Sequence, residues 1–398
     1  MVVGAGPAGA ALSLQLARAQ CSITLVEAAG HLDRPFRGEA LMPSGLEALA
    51  RMGVDPAAQD LPSRPLRGWS FWLEGRNLFE VDEPIGDGPP CTLIEQSSLL
   101  GRLLTLAGRH PGFRLLQGVG VTAPLLRGGR VAGVLLADGR RIDADLVVGC
   151  DGRGSLLGRQ AERVPPGDSG PIDVLWFRIG GTAATAMADW LRDRFVTVVG
   201  SAGTFSVFTT CRGDVQLGWA IEPSAATPSP PQGWPGLWSA QGPADLWSRV
   251  PRLAASGAVV GPRRLRGRVG CAPCWHRAGL LLLGDAAHPM SPVRAQGINM
   301  ALRDALVAAR WLVPALRQGT SEAVDAALPR VAEERLPEIL RIQALQHREL
   351  ERGLLLRRSD WLRRLVAGTV GWSGPLLARR WVGEQHLLRD GLPGSASA

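Results

Sequence analysis

Between an apolar stub, Met1–Val3, and the amphipathic run ALSLQLARA stands Gly4-Ala-Gly6-Pro-Ala8-Gly9, and the next apolar stretch, Ser22–Val26, closes on Glu27. Strand, glycine turn, helix and strand in this order begin a βαβ unit with parallel strands, which leaves few alternatives to a mixed α/β fold built on a Rossmann-like domain. The three glycines serve separate mechanical ends, namely a tight turn, room for a pyrophosphate to approach the backbone, and close packing of helix on strand. Glu27 lies 18 residues beyond Gly9, where a carboxylate accepts from ribose hydroxyls and disfavours a 2′-phosphate. The motif therefore predicts a bound FAD or NAD rather than NADP.

Downstream the apolar period changes. Helical spacing returns at Pro43–Met52 and Gln96–Gly108, and Trp69–Phe79 between them alternates as a strand. Asp138-Gly139 closes a hairpin between Val131–Leu136 and Arg141–Ile142, while Leu146–Cys150 and Leu280–Leu283 are continuous apolar runs, as in strands buried on both faces. From Asp173 to Glu222 the segments DVLWFRIGG, RFVTVVG, TFSVFTTC and VQLGWAIE predict an antiparallel sheet. Pro223–Pro235 reads as loop, and a helical tail begins near Arg303.

The length of 398 residues and the 45% hydrophobic content suit two or three packed subregions and exclude a disulfide mini-scaffold or a disordered tail. Six scattered cysteines fit a reducing cytoplasm. No secretory leader precedes the glycine turn and no run reaches the ~20 apolar residues of a spanning helix, so a soluble, cytoplasmic protein is expected. The net charge of +8 is carried by arginine, since lysine is absent. Residues 330–398 hold twelve arginines against eight carboxylates, read as a solvated helical face with no nucleic-acid partner. Weak membrane-surface contact stays open at Leu365–Ala378, too short to cross a bilayer of ~20 helical residues.

A second turn follows the strand LLLL: Gly284-Asp285-Ala-Ala-His288-Pro-Met-Ser-Pro292-Val-Arg294-Ala-Gln296-Gly297-Ile298-Asn299. A third is Asp151-Gly152 with Ser155, in LVVGCDGRGS. In this order, over residues 1 to about 320, the three motifs resemble the class A FAD-dependent aromatic monooxygenases typified by para-hydroxybenzoate hydroxylase. The resemblance implies that Gly4, Gly6, Ala8, Gly9 and Glu27 meet the ADP half of FAD and that Arg37 of FRGEAL lies near the pyrophosphate. It implies that Gln96 meets the cofactor, that Gly284 and Asp285 hold the ribityl chain, and that Asp151 and Gly152 serve FAD and NAD(P)H. Pro292, Gly297, Ile298 and Asn299 would border the flavin ring, toward whose pyrimidine a helix N-terminus there would direct roughly half a positive charge. A capped helix start for Gly297 and Asn299, and a turn or N-capping role for Asp285 and Asp151, remain the alternatives.

The same resemblance implies a discontinuous FAD-binding domain at 1–68, 92–170 and 265–320, a substrate-binding β-sheet domain at 69–91 and 171–264, and a C-terminal helical region at 321–398. No second GxGxxG follows a strand, so NAD(P)H would visit, reduce FAD and leave. Molecular oxygen would then form a flavin hydroperoxide that hydroxylates or epoxidises an aromatic or polyene-like small molecule. A dehydrogenase or reductase of isoprenoid-like substrates shares this fold, and a flavin halogenase is a further alternative lacking its WxWxIP-like segment; the assembly would be a monomer or homodimer.

Arg294, Pro292 and His288 are the catalytic candidates. Arg294 stands where the family usually has glycine, and could stabilise a flavin peroxide, bind an acidic substrate or face solvent. His288 could relay protons or be a hydrogen-bonded structural histidine. The family's DGxxSxxR arginine would fall at Gly158, whereas this chain has Arg159, and with no tyrosine present a tyrosine relay for ionising a phenol is excluded. Cys271 and Cys274 have no partner pair for zinc, and no metal is expected. Among Trp69, Trp72, Trp176, Phe205, Phe208 and Trp219, the leading candidates for a substrate wall are Phe208 and Trp219, with core packing as the alternative.

Overall fold

A computed structural model describes residues 1–32, 39–58, 60–160, 172–201, 203–223, 225, 243–248 and 257–392. Its first layer is a six-stranded sheet in the order His276–Arg277, Leu280–Leu282, Val147–Gly149, Val2–Val3, Ile23–Glu27, Phe113–Gln117, parallel except for the first pair. The strand after the leading residue of the chain is thus central, buried on both faces, as its apolar composition requires. Pro7–Arg18 packs on it, and that helix in turn packs on Gln296–Gln318 and Gln96–Ala107.

The second layer is a seven-stranded sheet in the order Val259–Leu265, Asp173–Ile179, Val215–Ile221, Gly203–Thr209, Arg194–Gly200, Gly68–Leu73, Arg76–Asp82. It departs from the sequence expectation in three ways. Trp69–Phe79 is two strands of a hairpin turning at Glu74-Gly75, both with positive φ, rather than one strand. Arg194–Gly200 pairs parallel with Gly68–Leu73, so the sheet is not purely antiparallel. Gly181–Leu191 is a helix, whose Ala184, Met187 and Leu191 bury against the far face of the sheet; the alanine-rich run between two strong strands hides it. The hairpin at Asp138-Gly139 forms as expected, whereas most of the Pro223–Pro235 loop lies outside the described residues.

The C-terminal region is a clasp. Ser321–Arg358, Asp360–Gly368 and Val370–Asp390 run back across the molecule. Arg363 pairs with Glu74, and Arg389 grips Glu83, its Nη2 2.8 Å from Oε2, so two nearly buried arginines tie these helices to the Gly68–Asp82 hairpin. The basic tail is therefore only partly the solvated face that its composition suggests.

One buried polar knot joins the layers. Asp304, fully buried, accepts from the Gly284 amide at 3.1 Å and Arg335 Nε at 2.8 Å, and its Oδ2 lies 2.6 Å from His288 Nε2. Arg335 also pairs with Glu338, which holds Arg303 (Nη2–Oε1 2.9 Å) and accepts from the Leu392 amide at 2.9 Å. Burial by itself would raise the Asp304 carboxyl, but His288 and Arg335 outweigh it and hold it at about 2. This carboxylate's contribution is complete above its ordinary 3.8 and is lost as the pH falls toward 2. Replacing one member strands the others: Arg335→Met is expected to lower stability by ~3–5 kcal/mol, read as an earlier denaturant midpoint at unchanged slope. A loss below ~1 kcal/mol, the level of a surface pair, would contradict the knot's role.

Candidate active site

A cavity of about 1000 Å³ opens where the chain leaves the neighbouring parallel strands Val2–Val3 and Val147–Gly149, and it extends to one face of the seven-stranded sheet. The end of parallel strands at a change of chain direction is where α/β sheets hold ligands. Gly4 has a φ of +98°, and a Cβ there would stand 2.4 Å from Cys150 O. At Gly9 a Cβ would be 1.9 Å from Gly4 O, so only glycine lets the helix sit down on the turn. Gly6 meets the cavity with nothing within 4 Å of its Cβ position. The helix starting at Pro7 has no side-chain cap, and proline at its first position leaves the amides of Ala8 and Gly9 as the unsatisfied donors of a positive helix end. Glu27 lies on the same wall, held by the amides of Ala5 (2.7 Å) and Ala29 (2.9 Å).

A second uncapped helix start, Gln296–Gln318, borders the cavity through Gly297 and Ile298, with Pro292 beside them. It is reached through consecutive left-handed residues, Arg294 (φ 60°) and Ala295 (φ 48°). Asp285 and Gly284 line the wall between the two helix ends, with Asp285 Oδ2 accepting from Arg153 Nε at 3.0 Å. Asp151 caps the short helix Leu156–Gln160, Oδ2 accepting from the amides of Leu156 (2.7 Å) and Leu157 (3.2 Å), while the buried Oδ1 has no partner among the described residues. Gly152 and Gln96 complete this side. Two bare helix ends, a glycine cradle and an orphaned carboxylate oxygen fit a phosphate-bearing dinucleotide with a polyhydroxyl chain, as FAD is.

The opposite wall is the large sheet, and period-two alternation decides which side chains it presents. Val174, Ala220, Thr204, Val199 and Leu73 form one cross-strand row, and Trp176, Gly218, Ser206, Thr197 and Phe71 the next. Gln216 stands opposite both Arg178 and Phe208 in a third row, continued by Phe195 stacked on Phe208 at 5.1 Å and by Trp69 opposite Phe195. Gly218 makes room for the Trp176 indole, which a Cβ there would meet at 2.7 Å. Phe208 is thus on the cavity wall, but Trp219 is not: it faces the other way, stacked on Phe205 at 5.4 Å in the core beneath the helix Gly181–Leu191.

The geometry narrows the roles of three more candidates. His288 is 1% exposed, bonded to Asp304 and 4.8 Å from the Trp275 ring, behind the cavity wall, which favours the structural reading over the relay. Asn299, fully buried, joins backbones: it accepts from the Met42 amide (2.8 Å) and donates to Ala40 O (3.2 Å) and Ala295 O (2.9 Å), so it fixes the cavity edge without lining it. Arg294 lines the cavity yet neither faces solvent nor offers a free charge. Its Nε lies 2.8 and 3.1 Å from the two Glu349 oxygens, and its guanidinium is 4.6, 5.1 and 5.2 Å from the rings of Trp381, Trp69 and Phe71. Arg37 lies outside the described residues.

Sequence reasoning missed Glu39 and the contribution of the C-terminal helices. Glu349, Arg352, Arg380, Trp381 and Glu384 all line the cavity, and no local motif announces a wall assembled from so distant a segment. Glu39 is 5% exposed, on the cavity wall, with Oε1 3.8 Å from Arg178 Nη2 and Oε2 unpartnered among the described residues. Burial lifts its carboxyl to about 7 against the lowering influence of Arg178. A carboxylate directly before the apolar pair Ala40–Leu41 was the available signal.

A family model described as FAD binding domain matches residues 1–339. The chain is 34% identical over 372 residues to 6-methylpretetramide 4-monooxygenase of Streptomyces rimosus, covering 87% of this chain and 83% of that protein. It is 28% identical over 370 residues to 3-amino-4-hydroxybenzoate 2-monooxygenase PtmB3 of Streptomyces platensis, covering 88% and 87%. Its fold is similar to that of P. aeruginosa PqsL, solved in complex with 2-aminobenzoylacetate, with a TM-score of 0.76 at 20% identity over 92% of this chain and 97% of that one. The glycine cradle, the two bare helix ends and these relatives together assign the chain to the class A FAD-dependent aromatic monooxygenases.

Proposed function

We propose that the protein uses NAD(P)H and molecular oxygen to hydroxylate a planar, hydroxyl-bearing aromatic small molecule lodged between the FAD site and the sheet face. The observation that carries this is the single cavity shared by the two bare helix ends and a wall of Phe208, Phe195, Trp69 and Trp176. Its volume of about 1000 Å³ stands at the top of the ~300–1,000 Å³ range of ordinary ligand pockets, room for a dinucleotide and a second molecule. Two relatives are named as monooxygenases, one of 6-methylpretetramide and one of 3-amino-4-hydroxybenzoate.

FAD, when bound, supplies the two-electron and oxygen chemistry that no side chain can perform. The chain's own residues do the rest. The amides at Ala8 and Gly9 hold the diphosphate, Asp285 and Asp151 accept from hydroxyls, and the helix end at Gly297 favours negative charge on the ring beside it. The aromatic wall orients the substrate plane and keeps water out, which protects the oxygen transfer from wasteful hydrolysis. NAD(P)H visits this site, since no second dinucleotide cradle is present among the described residues. The six cysteines are all free, in keeping with a cytoplasmic protein. Among the described residues no helix is long and apolar enough to cross a membrane.

Purified protein should be yellow, consume NAD(P)H with oxygen uptake, and place one atom of labelled O₂ in the product. NAD(P)H-driven change of substrate without label would favour the dehydrogenase reading instead. Asp285→Ala should weaken FAD retention about tenfold to a hundredfold, the worth of a charged hydrogen bond of ~1.5–3 kcal/mol. Flavin fluorescence on dilution measures it, and unchanged retention would remove Asp285 from the cofactor site.

A further inference from the structure

At the sheet end of the cavity, three polar side chains reach the wall without partners among the described residues: Glu39 through Oε2, Gln216 through both amide atoms, and Trp176 through its indole N–H. Glu39 and Gln216 are 5% and 0% exposed, so these atoms have surrendered water with no group of the described residues replacing it. They are neighbours through Arg178, which lies beside Glu39 and stands directly opposite Gln216 on the adjoining strand. Stacked Phe195 and Phe208 continue the same row, so a flat ring resting on them presents its polar edge to this trio.

Resting on the monooxygenase reading above, we propose that Glu39 is the base that ionises a substrate phenol, and that Gln216 and Trp176 hold the resulting phenolate. The donor set is matched to that ligand. A carboxylate accepts the hydroxyl proton, and an amide and an indole N–H donate to the oxygen left behind. In the step, the substrate O–H bond breaks, its proton forms an O–H bond with Glu39 Oε2, and the electron pair stays on the phenolate oxygen. There it enriches the ring carbons ortho and para to it, which an electrophilic oxygen attacks. The substrate class is thus a phenol with an open ortho or para ring position. The chain has no tyrosine to take that proton, and His288 is sealed behind the wall.

The electrostatics agree with the geometry. Among the described residues, the charged and titratable groups around Glu39 are Arg178 on the adjoining sheet, Glu95 at the head of the helix Gln96–Ala107, and Cys211, Arg212 and Asp214 in the turn before Val215–Ile221. Arg212 is engaged with Glu95, Nε to Oε1 at 2.8 Å and Nη2 to Oε2 at 2.6 Å, so that among the described residues Arg178 is the cation paired with Glu39. With burial dominant, the Glu39 carboxyl titrates at about 7, where a base matched to working pH is most effective.

The test is a spectral pH titration of 1,8-dihydroxyanthraquinone, whose ionised form absorbs beyond the oxidised flavin, on the FAD-loaded protein. On the wild type the ionised band should grow in at a pH below that at which the free compound ionises. On Glu39→Gln, a near-isosteric change, the compound should bind but ionise only where it does in free solution. The ionised fraction at neutral pH should drop at least tenfold, and Gln216→Leu should weaken binding about tenfold, the loss of one hydrogen bond's ~1.4 kcal/mol. The flavin spectrum and a melting temperature verify folding. Melting should be higher for Glu39→Gln than for wild type above about pH 7, with the gain gone below the ordinary carboxyl value of 4.5. Any oxygenation that Glu39→Gln loses, about a hundredfold at neutral pH, should return at the pH where the free phenol ionises. Identical ionisation in the two proteins, or a compound that does not bind, overturns the assignment of Glu39. Oxygen uptake with labelled product would in that event leave the monooxygenase reading standing, whereas its absence would remove both.

Discussion

A single buried carboxylate, Asp304, fixes most of what matters here. It holds the amide of Gly284, the ring of His288 and the guanidinium of Arg335, and so joins the turn that carries Asp285, the helix that starts at Gln296 and the long C-terminal helix. Charges so deeply buried are tolerated only when every one is paired and hydrogen-bonded, and a pair that loses one member is far costlier than an apolar replacement. Through Glu338 the knot extends to Arg303 and to the amide of Leu392 at the end of the clasp. The turn, the helix end and the chain's far end therefore keep one geometry, and the cofactor wall inherits its rigidity from them.

Facing that wall, at the end of the large sheet, the Glu39 carboxyl, the Gln216 amide and the Trp176 indole N–H have atoms without partners among the described residues. Glu39 with its carboxyl near 7 instead of 4.5 represents roughly 3 kcal/mol of stability forgone at high pH, a cost that structural residues seldom carry and site residues often do. Arg294 is the reverse case. A cation beside the flavin position looks like a catalytic group in the sequence, yet Glu349 and three aromatic rings absorb its charge. It joins the cofactor-side loop to the C-terminal helix and to the sheet at once, so the clasp and the cavity are parts of one construction.

What the sequence disclosed follows from how local the signals were. The glycine turn, the buried strands Val147–Gly149 and Leu280–Leu282 and the Asp138-Gly139 hairpin are set by a few adjacent residues, and each was legible. The side-chain parity of the sheet was legible in principle. Gln216, Gly218 and Ala220 alternate with Leu217 and Trp219, which separates Phe208 on the wall from Trp219 in the core. That separation needs the register of neighbouring strands, which one strand cannot supply. Asn299 and His288 lie within the recognised motif and proved to serve the backbone and the knot; spacing names the neighbourhood, whereas burial decides the role. Glu39 and the clasp were hard to read because their meaning depends on residues far along the chain, Arg178 and Gln216 for the first and Glu74 and Glu83 for the second.

The account stands on one cavity holding FAD on one wall and an aromatic ring on the other. A crystal structure of the protein with FAD tests it most directly. The account predicts the diphosphate at Gly6 and the Pro7 helix end, the isoalloxazine beside Pro292 and Gly297, and open space between that ring and the row of Gln216, Phe208 and Phe195. A flavin ring seated outside the cavity, or one that fills the space against the sheet and leaves none for a second ring, would contradict it.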